Sequence, residues 1–127
     1  MSESIVVIVN KENPVGDLNP GEVKLYYLRK IKKRWPDLNK NIRPADRKSK
    51  CVERDAFYAA VLGMKDAEVE EYFVNKQLQN AERPQDKFTT EADLINFVSE
   101  EPGALGYIKA SSLTADVKSK VKVILTL

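Results

Sequence analysis

The chain has 127 residues, 43% of them hydrophobic and 31% charged, with a formal net charge of +2; this balance fits one globular domain with one core, taken as residues 1–127. No apolar run approaches the roughly 20 residues of a membrane helix, and the lack of histidine, with Cys51 as the only cysteine, removes the commonest general base, the commonest zinc ligand and any internal disulfide. Charge is unevenly divided: residues 29–50 hold ten Lys or Arg against two acids, and the remainder holds eleven against seventeen, so one segment alone is set to attract anions.

Met1 to Ser4 leads straight into Ile5-Val6-Val7-Ile8-Val9, a β-branched run that predicts a strand covered on both faces within a parallel sheet. It is too short for a secretory signal; if the protein is exported, the signal is expected to have been removed. Asn19-Pro20-Gly21-Glu22 starts a helix, with Asn as N-cap, Pro at the first position and Glu three residues past the cap. That helix is expected to bury Val23, Leu25 or Tyr26, and Leu28. Lys40 to Asp46 predicts a short strand, and Pro44 places it at a sheet edge or a strand end.

From Val52 to Leu62, Phe57 with Val61 and Tyr58 with Leu62 recur at helical spacing, and Gly63 stops the helix. Asp66 is expected to cap a further helix with Val69, Tyr72 and Phe73 as its apolar stripe, running to about Asn80, with Pro84 closing any extension. Its acids Glu68, Glu70 and Glu71 read as a solvated face rather than a catalytic pair. Thr90 with Asp93 caps the next helix, which carries Leu94, Ile95, Phe97 and Val98 and ends at Pro102-Gly103. A strand follows over Ala104 to Ile108, where Gly106 leaves the backbone open to close approach by another chain or a ligand. Lys120 to Leu125 predicts a terminal strand, half exposed at one end. The order β, α, β, α, α, α, β, β indicates an α/β layer structure with helices flanking a sheet.

Two segments are candidates for function. Arg29-Lys30-Ile31-Lys32-Lys33-Arg34-Trp35 sets basic charge beside an aromatic, but no nucleic-acid fold signature accompanies it, so it reads as a solvated turn anchored by Trp35. The loop from Asp46 to Arg54 lies between a strand end and a helix start, where anions find free backbone N–H groups. Arg47 offers a fork of donors and Ser49 a hydroxyl. An equal alternative has Ser49 capping the helix and Arg47 paired with a surface carboxylate. No nucleophile with a base is visible, so no enzyme and no cofactor are expected.

The Leu28 to Trp35 helix end, the Arg47 and Ser49 loop leading to Arg54 and Phe57, and Pro102-Gly103-Ala104-Leu105-Gly106-Tyr107-Ile108, together with Ile8-Val9-Asn10 and Asn13-Pro14, cover roughly residues 5 to 109. In this order and spacing they resemble the phosphate-binding proteins of ABC transporters, of the type 2 periplasmic-binding fold, and the length resembles one lobe. The resemblance implies a non-enzymatic solute-binding domain, exported to the periplasm, that takes phosphate or a related oxyanion and works with an ABC transporter; a cytoplasmic location stays open. It implies Arg47, Ser49 and Arg54 as anion ligands, Arg47 falling on the family arginine and Phe57 on the apolar helix residue after it. The family's Gly-rich run corresponds here to Lys50-Cys51-Val52-Glu53. The alternative is a protein interaction module or homodimer, built on a lobe that has lost its ligand.

Overall fold

The computed structural model describes residues 4–27, 35, 40–48, 51–80 and 86–127. The expectations for Leu28, for Arg29 to Arg34, for Ser49 and Lys50 and for Pro84 lie outside the described residues. Five strands form one mixed sheet in the order β3-β2-β4-β1-β5: β1 is Ile5–Asn10, β2 Arg43–Arg47, β3 Asp86–Phe88, β4 Ala104–Lys109 and β5 Val121–Thr126. Every residue of β1 is buried, as its apolar run requires. Alternate side chains enter two cores: Ile5, Val7 and Val9 join one cluster, Val6 and Ile8 the other.

β1 is antiparallel to both β4 and β5, which corrects the expected parallel setting. An unbroken apolar run reports coverage of both faces, and coverage is indifferent to the direction of the neighbouring strand. The parallel part of the sheet lies on the other side of β4, where β2 runs parallel to β4 and to β3. β2 is therefore an interior strand, and of the two settings expected for Pro44, a sheet edge or a strand end, the strand end holds, Pro44 being the second residue of β2. Pro44 is accommodated because pairing with β3 begins only at Ala45, opposite Asp86.

The helices begin where local chemistry directs. α1, Pro20–Tyr27, opens with a reciprocal capping box: Glu22 N–H donates to Asn19 Oδ1 at 2.8 Å and Asn19 N–H to Glu22 Oε1 at 3.2 Å. It buries Val23, Tyr26 and also Tyr27, with Leu25 only partly covered. α2, Val52–Phe57, runs directly into a π turn over Tyr58–Leu62, and Gly63 ends it in the left-handed conformation at φ 64°. α3 spans Asp66–Asn80, but Val69 N–H bonds Lys65 O and Lys65 N–H bonds Glu68 Oε1, so Lys65 holds the cap position expected for Asp66. α4, Glu91–Glu100, is capped by Thr90, whose Oγ1 accepts from Asp93 N–H at 3.1 Å.

β3 and a final helix α5, Ala115–Lys120, were not foreseen, β3 being three residues long and α5 six. β5 then closes the sheet on the far side of β1.

The glycines of the helix-to-strand junction act inside the fold. A Cβ on Gly106 would lie 2.7 Å from Leu94 Cδ2 and 3.1 Å from Val98 Cγ2, so the close approach this glycine permits is that of α4 to β4. This corrects the expectation of an outside chain or ligand there. At Gly103 a Cβ would lie 2.1 Å from Asn41 O, and Gly103 O accepts the indole N–H of buried Trp35 at 2.8 Å. Trp35 is thus an anchor, as its place after the basic run suggested.

Candidate oxyanion site at the end of strand β2

The parallel strands β2, β3 and β4 end together at Arg47, Phe88 and Lys109. Asp46 is 1% exposed there, and a buried carboxylate persists only with donors around it. It has three. The hydroxyls of Tyr58, from the π turn, and Tyr107, from β4, both donate to it, and Arg47 N–H donates to Oδ1 at 2.8 Å. Burial, and then the Asp46 charge, push both tyrosine hydroxyls far above the usual phenol range, so they stay protonated as donors. Phe57 backs this cluster, stacked on Tyr107 at 4.2 Å between centroids and 4.7 Å from Tyr27. The Tyr27 hydroxyl in turn donates to Ala45 O at 2.7 Å, tying α1 to β2.

With its backbone fixed by Asp46, Arg47 reaches over the strand end. Nη1 donates to Glu53 Oε1 in α2, and Nη2 to Thr89 O, just before α4, at 2.9 Å. The two side chains of the ion pair are 12% and 7% exposed, and Arg47 Nε is buried without a hydrogen-bond partner among the described residues. Arg47 therefore does pair with a carboxylate, as one of the two alternatives had it, but with a buried one from the first turn of α2 rather than a surface group. Burial works to raise the Glu53 carboxyl. Its own backbone N–H, the Cys51 thiol and the charges of Arg47 and Lys109 together outweigh this and hold it below the ordinary carboxylate range. The Cys51 thiol is itself pushed up, by burial first.

Arg54 is buried, with its guanidinium 5.1 Å from the centroid of the Tyr58 ring. A third carboxylate lies at the same end of the sheet: Glu91 accepts Lys109 N–H at 2.9 Å and the Ser112 hydroxyl. The sequence reading singled out Arg47, Ser49 and Arg54 but missed Asp46, Tyr58, Tyr107 and Thr89. Only Asp46 carried a signal, as an acid at a predicted strand end. Among the described residues no group of three His, Cys, Asp or Glu side chains is placed to hold a metal ion. Nor is any described helix long and apolar enough to cross a membrane.

No protein-family model matches the chain, and no curated protein does. Solved structures do match. A phosphate ABC transporter substrate-binding protein from Clostridium perfringens, with phosphate bound, is 27% identical and superposes over 96% of this chain and 44% of its own, at a TM-score of 0.73. An ABC-type phosphate transport receptor from Vibrio cholerae, 18% identical, covers 96% and 45% at 0.70. PstS from Borrelia burgdorferi, 16% identical, covers 96% and 46% at 0.69. The chain thus spans less than half the length of each. It has the α/β fold of a single lobe of the phosphate ABC transporter substrate-binding proteins.

Proposed function

We propose that residues 1–127 form a non-enzymatic, receptor-type binding lobe that acts outside the cytoplasm with an ABC transporter. Its binding face is the end of β2, where Arg47 is offered to phosphate or a related oxyanion. The observation that supports this is Arg47 itself: its backbone N–H is held at the strand end by Asp46, and its guanidinium meets the carboxylate of Glu53. The 27% identity to a phosphate-bound receptor lobe supports the same reading. Because Arg47 is already engaged, the affinity is weak; a millimolar Kd corresponds to about −4 kcal/mol. An amide NMR titration with phosphate and with sulfate tests this. Shifts at Asp46, Arg47 and Cys51 to Arg54 at millimolar anion, lost in Arg47→Ala, support it, and a flat response in both the wild type and Glu53→Ala removes it.

A second reading is a protein interaction module or homodimer. It is favoured by one observation, that Glu53 and Thr89 already use both Nη groups of Arg47. Light scattering separates the homodimer from the lobe acting alone, and a monomer at high concentration counts against self-association.

A further inference from the structure

The Glu53 carboxylate is the centre on which hydrogen-bond donors and positive charge of this end of the sheet converge. Arg47 Nη1 comes from β2, the Glu53 amide from the first turn of α2, the Cys51 thiol from the residue before it, and the field of Lys109 from the end of β4. Donors from separate elements meeting at one anionic position are what an oxyanion site consists of, and here the anion is covalently part of the chain. The arrangement is also incomplete as an internal pair. Arg47 gives Glu53 one donor and Thr89 O another, while its Nε is buried with no partner among the described residues. A side-chain carboxylate tethered six residues away leaves that donor unused, whereas a free oxyanion with three or four oxygens can turn to reach it.

We infer that Glu53 is a built-in counter-ion occupying the oxyanion position of this lobe, and that it sets the lobe's affinity by competing with the free anion for Arg47. The inference rests on the oxyanion reading of the Arg47 face and names the residue that controls it. A free oxyanion enters only when the Glu53 side chain swings away, so the wild type binds weakly. Removing the carboxylate vacates the position and leaves the Arg47, backbone and Lys109 groups in place. The vacated position takes small oxyanions as a class, phosphate and sulfate as well as the carboxylates acetate and formate, which reproduce the missing Glu53 group.

The test is a titration of wild type, Glu53→Ala, Glu53→Gln and the double variant Arg47→Ala/Glu53→Ala with phosphate, sulfate and acetate, read by amide shifts and by the anion-induced rise in Tm. Circular dichroism confirms folding; should Glu53→Ala not fold, the isosteric Glu53→Gln carries the comparison. The expected result is phosphate and acetate affinity at least ~10-fold above wild type in the single variants, the equivalent of one charge-assisted contact recovered, and its loss in the double variant. If Glu53→Ala and Glu53→Gln bind within about twofold of wild type, while wild-type binding still depends on Arg47, the counter-ion inference fails and the oxyanion reading stands. If no folded variant responds to any of the anions, both fall together.

Discussion

Truncating Arg47 to alanine tests whether the buried ion pair carries stability as well as recognition. The change leaves Glu53, 7% exposed, as a buried carboxylate without its cation. Breaking a buried pair from one side costs about 3–5 kcal/mol, and the 12% exposure left to Arg47 puts this case near the lower end, about 3 kcal/mol. Against a whole-domain stability of about 5–15 kcal/mol, that is a fall in Tm on the order of 10 °C. Removing both partners in Arg47→Ala/Glu53→Ala leaves no stranded charge, so the double variant is expected to lose less than Arg47→Ala alone. The assay is urea unfolding followed by fluorescence of Trp35, the only tryptophan, which is 3% exposed in the fold. If Arg47→Ala and the double variant both stay within about 0.5 kcal/mol of wild type, the pair is screened by solvent and the reasoning is refuted.

The pH dependence follows from Glu53. Its folded carboxyl lies below the ordinary range, so its contribution is fully present above the unfolded value near ~4.3 and is lost as pH falls through the folded value; the urea midpoint of wild type should drop more steeply in acid than that of Glu53→Gln. Gly106→Ala presses a Cβ onto Leu94 and Val98 of α4 and is expected to cost about 1–3 kcal/mol, part of which the double variant with Leu94→Ala restores in the same unfolding assay. Asp46→Asn leaves one of the Tyr58 and Tyr107 hydroxyls facing an amide N–H instead of an acceptor, a loss of about 1–3 kcal/mol by calorimetry. Asn19→Ala breaks the capping box of α1 for about 1 kcal/mol, read by the same calorimetry.

What the residues disclosed and what they withheld divide by the range of the interaction. The starts of α1 and α4 were legible because Asn19 with Glu22, and Thr90 with Asp93, complete their hydrogen bonds within three residues. The stop at Gly63 was equally local. The direction of β1 was not, because Ile5 to Val9 is buried equally whether its neighbours run parallel or antiparallel. β3 escaped because Asp86-Lys87-Phe88 has little strand character of its own and is a strand only through its pairing with β2. In the site, Arg47 stood out by type and by its place after a strand. The hydroxyls that hold its backbone could not be seen: Tyr58 was counted in an apolar helical stripe and Tyr107 in an apolar strand, and their convergence on Asp46 exists only after β4 and the π turn are packed.

The two halves of the sheet have separate tasks. On the antiparallel side, β1 and β5 supply apolar burial and no group of the candidate site. On the parallel side, β2, β3 and β4 end together, and the segments that follow bring Glu53 and Glu91 to that end. Each of these acids accepts hydrogen bonds that in a receptor lobe could go to a ligand: Glu53 from Arg47 and its own backbone, Glu91 from Lys109 N–H and Ser112. The two are not equivalent. Glu91 is bound by a strand amide and a hydroxyl, groups that serve to join α4 to the end of β4, and replacing it should loosen that junction without creating affinity. Glu53 faces the Arg47 guanidinium, whose Nε has no hydrogen-bond partner among the described residues. If the lobe answers oxyanions at all, Glu53→Gln should change the answer and Glu91→Gln should not, a contrast that amide shifts on phosphate addition resolve directly.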